Sequence, residues 1–143
     1  MTELLKFLLH YLDFLYLDPE VRFADSKSSG NATGDAWLVL EDPQVKWQLA
    51  NERGQVTLSV TRNAPSPHFY RVGVVEQFLD GGPERIPSGL TPEQSEWLRT
   101  NRSRVEELFE DEATAERSGA ALKYLMRNNA IARGYNPPSV RGG

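Results

Sequence analysis

The chain begins with a stretch that is apolar almost all the way round a helix. Over residues 2–17 the polar positions Glu3, Lys6, His10 and Asp13 recur every three or four residues and form one narrow stripe. Leucines and aromatics fill the rest, from Leu4 and Leu5 to Phe14 and Leu15. A helix of this kind buries more than one side, either between layers of its own domain or in an oligomer interface. Thr2 is placed to cap it, and Glu3 suits the positive end of its dipole. Asp18-Pro19 ends it, because the residue before a proline disfavours the helical region.

The period then changes from helical to two. Residues 21–25 read as a short strand, and 26–34, rich in Ser, Gly, Asn and Thr, as a loop. Ala36, Leu38 and Leu40 share one face of a strand over 35–42; Val45, Trp47 and Leu49 do so over 44–50; Val56, Leu58 and Val60 do so over 55–61. Clean alternation predicts an antiparallel sheet with one wet face. The links are short, Glu41-Asp42-Pro43 and Asn51-Glu52-Arg53-Gly54, and the glycine suits a left-handed turn position.

Residues 67–80 fit two patterns. Val72, Val75, Phe78 and Leu79 have helical spacing after a Ser66-Pro67 start, whereas Tyr70, Val72 and Val74 alternate. The helix is the preferred reading, stopped by Gly81-Gly82-Pro83, with a loop over 82–90. Thr91-Pro92-Glu93-Gln94 is a helix start with cap, first-position proline and capping-box glutamine. Trp97, Leu98, Asn101, Val105, Leu108 and Phe109 then line one face. A last helix is expected over about 112–133, capped by Asp111, with Ala115, Gly119, Leu122, Leu125, Met126 and Ile131 inward and Gly134 as its stop. The expected fold is α+β: an N-terminal helix, a mainly antiparallel four-stranded β-meander, and C-terminal helices packed on the sheet. It forms a single domain over 1–135 with a flexible tail over 136–143.

Composition narrows the chemistry. The 143 residues suit one domain and contain no cysteine, which excludes disulfides, a thiol nucleophile and thiolate zinc sites. Two histidines, His10 and His68, are too few for a histidine metal centre. Both read as structural: His10 in the polar stripe, His68 in a helix's first turn. A net charge of −4 argues against nucleic acid as the partner. The first helix is broken by Glu3, Lys6 and Asp13 and is followed by no small-residue cleavage site, so neither a signal peptide nor a membrane span is expected, and the chain reads as cytoplasmic. Arginine outnumbers lysine twelve to four, a bias common in GC-rich bacteria.

No Walker loop, dinucleotide fingerprint or nucleophile elbow occurs. No catalytic, cofactor-binding or metal-ligating residue is assigned, and no cofactor is expected. Carboxylates are the remaining route to catalysis. Glu106 and Glu110 share a helix face, but neighbouring acids such as Glu110-Asp111-Glu112 point different ways. Charge is uneven: residues 93–117 hold eight acids and four bases, and residues 118–143 hold four bases and no acid. That is either a dipole-matched solvated surface or a docking surface for a charged partner. Trp47 and Trp97 fall on inner faces. Trp37 and Val39 alternate away from the core face, so either the sheet is covered on both faces there, for instance by the first helix, or they form an exposed anchor for a partner or ligand. The partner-binding candidates are therefore Trp37, Val39, Glu106, Glu110 and Glu112.

The order of parts also carries a resemblance. An apolar first helix precedes Gly-Asp-Ala-Trp-Leu-Val-Leu-Glu (34–41), Gln-Val-Lys-Trp-Gln-Leu (44–49) and Arg-Gly-Gln-Val-Thr-Leu-Ser-Val (53–60). Helices with Trp-Leu at 97–98 and Val-Glu-Glu-Leu-Phe at 105–109 follow. This resembles small uncharacterised bacterial proteins and, in size and layout, the immunity proteins of polymorphic toxin systems. The resemblance rests on hairpin and packing residues and carries over no site. It implies a non-enzymatic factor that binds a toxin-like protein. The alternatives are a small-ligand carrier or sensor, with a pocket between the sheet and the first helix, and last a carboxylate-dependent enzyme. The apolar first helix also allows a homodimer.

Overall fold

The three alternating runs form the centre of an antiparallel sheet of five strands, one more than the pattern predicts. In a computed structural model, which describes residues 1–28, 35–65, 67–85 and 89–134, the strands are β1 (Arg22–Ser28), β2 (Ala36–Glu41), β3 (Val45–Glu52), β4 (Gln55–Arg62) and β5 (Tyr70–Arg71). They lie in the sheet in sequence order, each antiparallel to the next. Leu40 stands opposite Trp47 and Trp47 opposite Val60, so the inward residues of three strands form one row. Trp47 is fully buried, as expected.

The fifth strand comes from the segment that fitted two patterns, and both fit in turn. Tyr70 and Arg71 pair with Val60 and Ser59, after which the chain enters α3 (Val72–Asp80). The helix therefore starts at Val72 rather than at Pro67. Val72 and Val75 are its buried residues, and Gly81, at φ 77°, ends it. β1 also departs from expectation: it runs to Ser28, and every residue in it is exposed. A bulge between Phe23 and Asp25, with Asp25 and Lys27 on the strand, protects this edge from pairing with other chains.

The apolar N-terminal stretch is two helices, α1 (Thr2–Tyr11) and α2 (Asp13–Tyr16), separated by Leu12 at φ −123° and ψ 30°. Met1, not Thr2, is the N-cap, and no side chain bonds there. Leu4, Leu8, Leu12 and Leu15 are fully buried in one cluster with Leu38, Leu40, Trp47 and Leu49. The opposite side, with Leu5, Leu9, Tyr16 and Leu17, is exposed. The helix thus buries one side, not several, and leucine side chains occupy the place between sheet and first helix where the alternative carrier reading puts a pocket.

α4 (Pro92–Glu107) and α5 (Glu112–Ala132) complete the core. The Thr91 hydroxyl accepts the Gln94 amide N–H at 3.1 Å, and Asp111 Oδ1 accepts that of Thr114 at 2.7 Å. Leu98, Val105, Phe109 and Leu122 are buried as their spacing predicts. Trp97 is only half-buried, because its Nε1 donates to Asp80 Oδ2 at 2.6 Å near the surface. Met126 and Ile131 are exposed, and Asn129 takes the inward place on α5 instead. The tail over 136–143 and most of the loop over 26–34 lie outside the described residues.

Candidate functional site

The end of the β2–β3 hairpin, the end of α2 and the last turns of α4 meet around one guanidinium. Arg102 Nη2 stands 2.7 Å from Asp18 Oδ2 and 3.6 Å from Asp42 Oδ2, and its Nε stands 3.0 Å from Glu106 Oε1. Local structure fixes each acid. Asp42 Oδ1 accepts the N–H groups of Gln44 and Val45, both at 2.8 Å, which forms the turn between β2 and β3. Asp18 Oδ1 accepts the Glu20 N–H at 2.9 Å. Gln44 Nε2 donates to the Glu106 carbonyl at 2.6 Å and clamps the hairpin to α4.

These residues line a cleft of about 350 Å³, together with Glu20, Pro43 and Ser103. Four carboxylates line it beside one guanidinium, and three of them, Asp18, Asp42 and Glu106, pair with it. Burial raises the Glu106 carboxyl above its ordinary value; Arg102 opposes this and the nearby Asp42 carboxylate adds to it. Asp18 is held below its ordinary value, first by the Glu20 N–H and then by Arg102. The arrangement favours a proton on Glu106, or a second cation beside it. Among the described residues no group of three or more acids or histidines is arranged to hold a metal ion, and here the guanidinium occupies the centre.

Of the candidates named from sequence, Glu106 lines this cleft and Glu110 and Glu112 stand exposed on the elbow just beyond it. Glu107, Glu110, Glu112 and Glu116 form no ion pair among the described residues. Trp37 and Val39 lie elsewhere, on the face of the sheet away from the main cluster. Val39 is 8% exposed and Trp37 half-buried. The first helix, one cover the pattern allowed, is not what lies over them, since α1 packs on the opposite face. Val39 is flanked instead by its cross-strand neighbours Asp25 and Gln48.

Sequence reasoning missed Asp18, Asp42 and Arg102. Asp18 and Asp42 each precede a proline and read as turn residues, and Arg102 reads as one surface charge among many. His10 and His68 are both exposed, resting against Tyr11 and Tyr70. Among the described residues no helix is long and apolar enough to cross a membrane. Comparison with protein-family models, curated proteins and solved structures returned no match.

Proposed function

We propose that the protein is a non-enzymatic binding factor that docks a basic segment of a partner protein on the Arg102 cleft and the acidic elbow after α4. The observation that carries this reading is the excess of carboxylates over guanidinium in the cleft. A partner's lysine or arginine entering there relieves like-charge crowding around Glu106. Glu107, Glu110 and Glu112, which have no ion pair among the described residues, extend the same potential and would steer a basic partner in. Tyr16 and Leu17, the latter 70% exposed, adjoin Asp18 and supply apolar anchors beside the charges. An inhibitor of immunity or antitoxin type acts in this way, by covering a basic or catalytic surface of its target.

The test is recovery of a stoichiometric basic protein from source-cell lysate by the tagged chain, set against two variants. Leu17→Ala and the double reversal Glu110→Lys/Glu112→Lys should both lose it. For the purified pair, the reversal should slow association most at low salt. Equal recovery by the wild type and both variants would remove this surface. One observation favours a second reading: Glu106 shares a cleft with Asp42 and its carboxyl is raised by burial, and a carboxyl so raised beside a second one is what a carboxylate-dependent enzyme would use as its acid. A hydrolytic activity abolished by Glu106→Gln and untouched by Leu17→Ala would establish that reading instead.

A further inference from the structure

A second concavity lies at the other edge of the sheet, where β5 stops after two residues and β4 runs on. It is a groove of about 470 Å³ between Thr57–Leu58, the start of α3, Gly89–Leu90 and the last turns of α5. Leu58, Val74, Leu90 and Met126 give it an apolar lining. Its charges are Arg71, Arg85 and Arg133 against Glu84, a positive balance in a chain whose net charge is −4.

Two of the arginines are committed. Arg133 pairs with Glu84 at 3.0 Å, and Arg85 pairs with Glu76 at 2.8 Å while donating to the carbonyls of Gly81 and Pro83. Arg71 has no ion pair or hydrogen bond to its side chain among the described residues.

Gln94 is the second observation. Its position predicts a capping box, in which its side chain would bond back to the Thr91 N–H. The backbone half of the box forms, but the side chain makes no hydrogen bond among the described residues. The residue is only 8% exposed and lines the groove. Its amide keeps some access, since Trp47 Nε1 is the unpartnered side-chain atom cut off from solvent among the described residues. Gly73 leaves room for it: a β-carbon there would stand 3.0 Å from Gln94 Nε2. With access to the groove and no hydrogen bond among the described residues, the amide is open to a polar group of a ligand.

We propose that this groove binds a small carboxylate with an apolar body. The guanidinium of Arg71 takes the carboxylate, whose planar fork it matches. The Gln94 amide supplies a further polar contact, and the body lies on Leu58, Val74, Leu90 and Met126. This site is separate from the Arg102 cleft and stands or falls independently of it.

The test is amide NMR titration of the full chain with octanoate, and with octan-1-ol as the uncharged counterpart. Octanoate should produce saturable shifts concentrated at Leu58, Gly73, Gln94 and Met126, and octan-1-ol should bind at least about tenfold more weakly. Arg71→Gln should weaken octanoate about tenfold or more, and Arg71→Lys, which keeps the charge but loses the fork, by less. Arg71 is exposed on a two-residue strand, so both variants should retain the wild-type spectrum elsewhere. Equal binding of octan-1-ol would overturn the carboxylate assignment. Shifts centred on Leu5 and Leu9, or unchanged affinity in Arg71→Gln, would overturn the site.

Discussion

Gln77 and Asn129 exchange two hydrogen bonds across the contact between α3 and α5, from Gln77 Nε2 to Asn129 Oδ1 at 3.1 Å and from Asn129 Nδ2 to Gln77 Oε1 at 2.7 Å. Both residues are more than nine-tenths buried. Each amide supplies what the other lacks, so the pair crosses the core with little penalty. Removing one partner strands the other. Asn129→Leu should cost about 2 kcal/mol in urea unfolding, because Gln77 Oε1 loses its donor. The double variant Gln77→Leu/Asn129→Leu should cost less than the two singles together, with a coupling of about 1 kcal/mol or more. Strictly additive costs would show that the bonds contribute nothing beyond packing.

Gly119 and Tyr70 make a second prediction, one in which the sign reverses. Alanine is favoured over glycine inside a helix by about 1 kcal/mol. Yet a β-carbon on Gly119 would stand 2.7 Å from the Tyr70 hydroxyl oxygen. Tyr70 has little room to retreat, being 5% exposed and stacked on Phe109 with ring centres 6.3 Å apart. Gly119→Ala should therefore lower the thermal midpoint. In a Tyr70→Phe background the nearest atom becomes the ring carbon at 3.6 Å, an ordinary contact. The same substitution should then raise the midpoint by about 3 °C.

These two relationships also show where pattern stops being informative. The α+β class, the meander and the caps at Thr91 and Asp111 were legible because each is a local rule: alternation, turn chemistry, or one side chain meeting the first free N–H groups. The inward row Leu40, Trp47 and Val60 follows from the same rule. β1 was only half legible, since an exposed edge strand needs no apolar face and Ser26, Lys27 and Ser28 read as loop. Asn129 was illegible, because a polar residue turns inward only when Gln77, distant in sequence, is there to meet it. Arg102 was illegible for the same reason. Its three carboxylate partners come from a helix end, a hairpin turn and its own helix, and only the fold brings them together.

Glu106 gives the stability a pH dependence of its own. Burial raises its carboxyl, so the folded protein holds more protons than the unfolded chain from the ordinary 4.5 up to the folded value. Stability from this group therefore falls as pH rises through that interval and returns on acidification. Asp18, held below 3.8, works the opposite way: its contribution is present above 3.8 and lost as pH falls through its folded value. Glu106→Gln removes the first effect and leaves the second. Urea midpoints followed from about pH 4 to neutrality should show the variant gaining on the wild type as pH rises. A constant difference across that range would mean that burial does not govern this carboxyl.

Arg102 places stability and the proposed binding role in opposition. Its side chain is 19% exposed and faces Asp18, Asp42 and Glu106. Arg102→Gln leaves three carboxylates crowded with no cation among them, and should cost about 2 kcal/mol near neutrality, less than a fully buried pair because water reaches the cleft. Protonating Glu106, whose carboxyl burial raises, relieves part of the crowding, so the deficit should shrink towards about pH 4, whereas simple loss of packing would leave it constant with pH. Arg102→Lys should recover part of the stability, since one ammonium cannot serve three acids with the geometry of a fork. The same Arg102→Gln change makes the cleft more negative. If a basic partner docks there, the folded variant should associate faster than the wild type at low salt, even though it is the less stable protein. Slower association at low salt by folded Arg102→Gln protein would place the partner's contact on the guanidinium itself rather than on the carboxylates.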